Sequence, residues 1–492
     1  MDLLTAIVPV SLRVESLRSA KALPAALLAG LASEDSPAFL DSSARHPELG
    51  RFSVIACRPI EVLTLWRGRL SDSAGRTLAE GEGPRILERL GQALGAVRLA
   101  PGSPAVPYAP GWIGYVGYEV GRCIERLPGQ AVRDTHLPDL RLAFYDALLV
   151  HDSLAGSWDL VESEFDRPIA GAGEAAKTLR RLVLDAPDRA AQRPSTPADA
   201  ADAAVRPGVP DATCNFTPDQ YRHAVARAVD YIAAGDIFQV NLSQRFSVAG
   251  VLEPTAIYRA LRDRNPAWYA AYLAFEHAGA PRAVLSSSPE LFLRVRGGRV
   301  TTRPIKGTRP RLGLPDADRD AAAELLASEK DNAELAMIID LLRNDLGRVC
   351  RFGSVRVTDP VRLETHPTLF HLVGTVEGVL REGVGPVDLL AATFPGGSIT
   401  GAPKIRAMEI IDELEGLARG VYTGCIGHVG VDGSCEWNIA IRTIVCDGGV
   451  AHVQAGGGIV ADSRPDSEYL ETLHKARALL EAIALARGGT NR

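Results

Sequence analysis

Leu291 to Arg311 reads LFLRVRGGRVTTRPIKGTRPR. Two β-rich runs, Leu291 to Val295 and Arg299 to Ile305, flank Gly297-Gly298, a pair whose tolerance of positive φ suits a hairpin turn. The second run leads into Lys306, which stands between Arg303 and Arg309. With a two-residue loop Lys306 falls opposite Pro289, and with a three-residue bulged loop it falls opposite Glu290. Either register brings Lys306 close to Glu290 at the open end of the hairpin. An acid and an amine so placed can act as general acid and covalent nucleophile, or form a structural ion pair.

Further strand-like runs lie toward the amino terminus: GRFSVIACRP (50–59), VLTLW (62–66), WIGYVGYEVG (112–121) and LAFYDALLVHD (142–152). Beyond residue 210 helical and strand patterns alternate, with a second hairpin signal at Gly448-Gly449. An α+β fold with large, mainly antiparallel sheets follows. Between about Pro168 and Pro210 the composition turns to Ala, Asp, Pro, Gly and Arg and strand patterning stops. The expected division is 1–165, a linker or surface excursion over 166–210, and 211–485.

The 492 residues are 46% hydrophobic and 23% charged, an ordinary globular composition. A net charge of -6 argues against nucleic acid as a partner, because neutralising phosphates requires a concentrated basic surface. Seven scattered cysteines without a CxxC suggest neither a disulfide framework nor a zinc site. They fit a reducing cytoplasm. The start MDLLTAIVPVSLRVES has no basic segment before its short apolar run, and no stretch has the length of a bilayer-spanning helix. A cytoplasmic location without membrane contact is expected.

Carboxylates occur twice at helical spacing. In EKDNAELAMIIDLLRNDLGRV (329–349), Asp331 and Glu334 are i,i+3, and Glu334 shares an arc with Met337, Ile338 and Leu341, so its carboxylate turns inward. A second helix opens at Pro465-Asp466 and carries Glu468 and Glu471, again i,i+3. Two such pairs can hold a hard divalent cation such as Mg2+, which takes oxygen ligands and keeps several waters. The second pair also suits a helix amino terminus, and Lys475 lies i+4 from Glu471. In PGGSITGAPKIRAMEIIDELE (395–415), glycines and hydroxyls lead into a helix near Ala402-Pro403, where free N–H groups suit an anion or simply a tight turn. It is not a Walker loop, since Ala402 follows Gly401 where that motif requires lysine. Arg442 in NIAIRTIV and His371 in LFHLVGTV lie in apolar runs, either functional or satisfied core residues. Gly456 to Gly458 permits close backbone approach by a ligand, or a bulge.

From about Phe216 to Leu480 these segments resemble the chorismate-utilising enzymes. The landmarks stand in family order: GDIFQVNLSQRF (235–246), SSSPELFLRV (286–295), RPIKGTR (303–309), the 329–349 helix, GGSITGAPKIRAMEIIDELE (396–415), NIAIRTIV (438–445) and AGGGIVADSRPDSEYLETLHKA (455–476). FLDSSARHPELGRFSVIAC (39–57) and GWIGYVGYEVG (111–121) are similar to the companion region of the aminating members. The resemblance implies a sandwich core flanked by helices, and chorismate and ammonia as substrates. Lys306, in PIKGT where anthranilate synthases typically have PIAGT, points to the aminodeoxychorismate synthases, component I, on the p-aminobenzoate and folate branch, with anthranilate synthase component I as the alternative. There the lysine is thought to attack C2 of chorismate while a protonated Glu290 assists departure of the C4 hydroxyl.

The resemblance further implies Glu334 and Glu471 as direct Mg2+ ligands and Asp331 and Glu468 as ligands through water. Thr400, Gly401, Ala402, Arg442 and Gly457 would line the chorismate pocket, with His428 near its pyruvyl side, and His371 matches the family's catalytic-region histidine. Two departures stand out: Gly374 where an HLVS-type motif has serine, and His428 where tyrosine is usual. TGCIG (423–427) is the nearest approach to a GxCxG glutaminase elbow and reads as a strand. A separate glutamine amidotransferase subunit is the expected ammonia source, and no nucleotide cofactor is implied.

Overall fold

The computed structural model describes residues 3, 4, 7–187 and 211–489, apart from 45, 47, 82, 251, 367 and 368. Gly297 and Gly298 adopt φ of 54° and 74°, forming a two-residue loop with Arg296 opposite Arg299. The register then shifts between Leu291 and Arg294, and pairing ends with Leu291 opposite Arg303. Pro304, which has no N–H to give to a ladder, breaks the strand. Ile305–Pro310 instead pairs with Leu369–Val379, placing Lys306 opposite Leu372. Neither register expected from the hairpin alone is the one observed.

Two large sheets carry the fold. One runs, in hydrogen-bonded order, through Gln239–Ala249, Val450–Ile459, Thr443–Asp447, Ala280–Ser288 and Tyr269–His277, then continues into Ala38–Asp41, Phe52–Ala56, Ala147–Asp152, Ser157–Phe165 and Val8–Ser16. The other runs from Ile305–Pro310 through Leu369–Val379, Arg299–Arg303, Leu291–Arg296, Cys435–Asn438 and Cys425–Gly430 into Gly111–Val116, Leu140–Tyr145 and Glu61–Trp66. Among the described strands of these sheets pairing is antiparallel except between Val8–Val10 and Val97–Leu99. The segments 1–165 and 211–485 are therefore stitched into common sheets, at Ala270↔Asp41 and across Cys425↔Val116 to Gly430↔Gly111.

The facing sides of the sheets share one core, with Trp112, Leu142 and Leu293 from one sheet against Val54, Val150 and Val284 from the other. Helices cover the outer face of the first sheet through Leu179, Ile257, Leu261, Leu479 and Ile483. This is the α+β sandwich flanked by helices. Glu174–Leu184 is one of those helices, burying Ala175, Ala176, Leu179 and Val183. The first half of the expected linker is thus packed structure, its apolar spacing hidden by Ala-rich composition, whereas 188–210 lies outside the described residues. No described helix is long and apolar enough to cross a membrane.

Candidate active site

Glu290 lies between the strands Ala280–Ser288 and Leu291–Arg296, 5% exposed, and its Oε1 accepts a hydrogen bond from Ser398 Oγ at 2.8 Å. Burial pushes its carboxyl up to about 7, against the opposing Ser398 hydrogen bond and the charge of Lys306. Lys306 Nζ donates to the Ser398 carbonyl at 3.3 Å, so one residue touches both the acid and the amine. Burial lowers the Lys306 pKa, opposed by Glu334 and Glu290, and Lys475 is the cation that helps. Arg303 and Arg309, which flank Lys306 in sequence, are engaged with carboxylates instead: Arg303 pairs with Glu364, and Arg309 with Glu324 at 2.9 Å and Asp331 at 3.3 Å.

Four carboxylates approach this pair from two helices. Ser328 caps Glu329–Gly347, accepting from the Asp331 N–H at 3.2 Å, and the stripe Leu335, Ile338, Ile339, Leu342 and Leu346 buries that helix, leaving Glu334 half-buried at its edge. Pro465–Gly489 presents Glu468, buried and hydrogen-bonded by Ser463 Oγ at 2.7 Å, and the exposed Glu471, 2.6 Å from Lys475. Burial raises the Glu334 carboxyl, with Asp331 and Glu471 as like charges in the same direction. Lys475 holds the Glu471 carboxyl below its ordinary value against the desolvation that opposes it. A Cβ on Gly457 would sit 3.1 Å from Glu468 Oε2 and 3.5 Å from Glu471 Oε1, so the glycine leaves a cradle between strand and acids. Among the described residues no three His, Cys, Asp or Glu side chains form a closed cage. The all-oxygen donors, with lysine ammonium groups on Glu471 and 3.9 Å from Glu334, nevertheless fit a hard divalent cation bound largely through water.

Arg442 is not on a strand, as its apolar surroundings suggested, but in the break before Thr443–Asp447 with φ of 51°. Its guanidinium lies near Tyr422 and Glu471 and makes no hydrogen bond or ion pair among the described residues; burial lowers its pKa. An unpaired guanidinium in a desolvated setting is a site for a carboxylate. Thr400 is fully buried, and Gly401 and Ala402 pair with Val240 and Gln239 just before the helix Lys404–Glu415. His371 Nδ1 meets Thr308 Oγ1 at 2.9 Å, and burial, then His366 and Arg442, bring its pKa down to about 3, leaving a neutral imidazole.

His428 does not join this group. Its Nε2 meets the Ala109 carbonyl at 2.7 Å, its ring packs on Tyr108, and its charged neighbours are Arg296, Asp432 and Glu436. The residue beside Arg442 is instead Tyr422, 6% exposed, which in the sequence stands immediately before the quoted TGCIG and was not singled out. Gln239 was also missed, although its motif was read. It is wholly buried, both carboxamide atoms lack a partner among the described residues, and its Nε2 would lie 2.8 Å from a Cβ on Gly458. Unpaired buried amide groups mark a place for a ligand or water. Lys475, read as a helix partner of Glu471, also donates to the Gly456 carbonyl at 2.9 Å and faces Glu290 and Lys306. The absence of serine at 374 has a packing cause: a Cβ there would sit 2.5 Å from Ile339 Cδ1. Cys425 of TGCIG is completely buried on the strand Cys425–Gly430, and burial raises its thiol well above the ordinary value, which disqualifies it as a nucleophile.

Comparison with known proteins gives the family. The description "chorismate binding enzyme" matches residues 57–481. Anthranilate synthase component 1 of Thermus thermophilus is 40% identical over 459 residues, 93% of this chain and 95% of that protein. That of Streptomyces coelicolor is 44% identical over 397 residues, 80% of this chain and 76% of that protein. The crystal structure of anthranilate synthase component I from Streptococcus pneumoniae superposes with a TM-score of 0.73 at 32% identity, covering 87% of this chain and 92% of that one. These relatives overturn the aminodeoxychorismate synthase assignment drawn from Lys306: eight at 37–44% identity bear the anthranilate synthase name. A single lysine held on a backbone carbonyl does not outweigh similarity along nearly the whole chain. The chain belongs to the chorismate binding enzyme family.

Proposed function

We propose that this chain is component I of an anthranilate synthase, converting chorismate and ammonia to anthranilate, pyruvate and water. The observation that carries the reading is 40% identity to an anthranilate synthase component 1 over 93% of the chain, and the site's chemistry supports it. Anthranilate bears its amine ortho to the carboxylate, so nitrogen must enter at ring C2. As the C2–N bond forms, the ring double bonds shift and the C4 hydroxyl leaves as water with the Glu290 proton; the ammonium formed at C2 then gives up a proton, and Glu290 regains one. The C2 proton then passes to the neutral His371 imidazole as the C3–O bond breaks, and the pyruvate enolate released takes up a proton at its methylene carbon to become pyruvate. Arg442 and Tyr422 hold a substrate carboxylate, and Gln239 Oε1 accepts an N–H of the incoming ammonia. Glu334 and Glu471, with Glu468 and Asp331 through water, would hold Mg2+, which when bound would offset the charge of the ring carboxylate. Release of pyruvate in equal amount to anthranilate, measured by a coupled assay with ammonium as nitrogen source, tests the reading; turnover of chorismate without pyruvate opposes it.

Lys306 is then a non-covalent cation that offsets Glu290 and Glu334. Lys306→Ala is expected to retain anthranilate formation within about 10-fold, since only a charge pairing is lost. A loss above about 1,000-fold, or a trapped lysine adduct by mass spectrometry, would restore a covalent role. Glu471→Gln is expected to raise the Mg2+ concentration for half-maximal rate at least about 10-fold and to weaken calorimetric Mg2+ binding equally. Unchanged Mg2+ binding would remove Glu471 from the metal site.

Ammonia is supplied by a separate glutamine-hydrolysing subunit, because the candidate elbow here presents only the inert Cys425. The seven cysteines are all free, in keeping with a reducing cytoplasm.

A further inference from the structure

His371 is reached from the amino-terminal segment by a column of rings. The His46 and Trp268 rings are 5.0 Å apart and tilted by 50°. Trp268 stacks on His366 at 4.1 Å and 28°, and His366 meets His371 edge-on at 4.8 Å and 82°. Trp268 and His366 are each 5% exposed. His366 Nε2 is buried without a hydrogen-bond partner among the described residues, so ring packing, not hydrogen bonding, holds that edge of the imidazole. The column ends where His371 contacts Thr308, two residues beyond Lys306.

We propose that Trp268 and His366 are positioning residues that fix the His371 imidazole against the Thr308 hydroxyl during the reaction. The inference rests on the anthranilate reading for its kinetic consequence only. The Thr308 hydroxyl and the Gly307 carbonyl hold the His371 ring through its nitrogens; the edge-on contact with His366 limits the tilt these leave, and Trp268 backs His366. A displacement of about 1 Å at a reacting group can cost about 100-fold in rate. The column also keeps water from His371. The groups facing His371 are Arg442 and the Gly307 carbonyl, with Glu364 opposite it in the sheet, and Arg303 and His46 face His366. Glu364 is paired with Arg303 and so supplies no free negative charge to the ring.

Trp268→Ala, Trp268→Phe and His366→Phe test this in the full chain. Trp268→Ala is expected to lower kcat about 10-fold with chorismate KM unchanged. Water admitted to His371 lifts its depressed pKa toward the ordinary value of about 6.5, so the acid limb of the rate profile moves to higher pH. Trp268→Phe and His366→Phe keep a stacked ring and should retain most of the rate. In a His371→Gln background Trp268→Ala should have no further effect on kcat. Nuclear magnetic resonance titration of labelled His371 reads the same change without any turnover, so a failure of the anthranilate reading leaves this arm standing. An unchanged His371 titration in Trp268→Ala, or an equal additional loss in the His371→Gln background, would overturn the proposal.

Discussion

Glu290→Gln is expected to lower kcat for anthranilate formation by about 100- to 10,000-fold, the usual worth of a general acid, while chorismate still binds. Glu290 is buried, its Oε1 is engaged by Ser398 Oγ at 2.8 Å, and burial lifts its carboxyl to about 7. A large fraction therefore carries a proton near neutral pH and can give it to a departing hydroxyl, which an amide cannot. The wild-type rate should fall as pH rises through about 7, and the glutamine variant should lack that limb. Stability falls with pH in the same direction. Because the folded pKa is raised, the contribution of Glu290 to stability is fully present below the unfolded value of about 4.3 and is lost as pH rises through the folded one. At pH 8 the neutral variant should unfold at a temperature no lower than wild type. Rates between pH 6 and 9 with parallel thermal unfolding check both statements, and a variant within about tenfold of wild type would remove Glu290 from the proton-donor role.

Arg442→Met is expected to raise the chorismate KM by about 100-fold. A charge-assisted hydrogen bond contributes about 1.5–3 kcal/mol, each 1.4 kcal/mol is tenfold, and a guanidinium can present two such bonds to one carboxylate. Among the described residues this guanidinium makes no hydrogen bond or ion pair, and it lies beside Tyr422 with its pKa lowered by burial. Methionine fills similar length without a desolvated charge, so the variant should lose substrate and gain thermal stability together. Calorimetric titration with chorismate and a melting curve decide the matter; unchanged affinity would place the substrate carboxylate elsewhere.

Much of this arrangement is legible before any coordinates. Gly297-Gly298 announces the hairpin, the arc of Glu334 with Met337, Ile338 and Leu341 announces the helix that carries Glu334, and Pro465-Asp466 marks the start of the helix bearing Glu468 and Glu471. Local rules suffice because each feature is set within one element. Lys306 shows where they fail. Pro304 ends one ladder and hands the chain to a different strand, so the register opposite Lys306 depends on Leu369–Val379, some 65 residues away. His428 and Tyr422 show the same limit: six residues apart, they lie at separate centres, and only the pairing of Cys425–Gly430 with Gly111–Val116 decides which one meets Arg442. Gln239 escaped because an unsatisfied amide is visible only once its surroundings are known. Lys306 also misdirected the choice of reaction, since one side chain reports a local charge whereas the preferred product depends on the whole pocket.

Mass spectrometry of the product formed from chorismate, Mg2+ and ammonium, with no lyase added, tests the central claim most directly. Anthranilate with released pyruvate is the expected result; an amine-bearing product that keeps the enolpyruvyl group would contradict it.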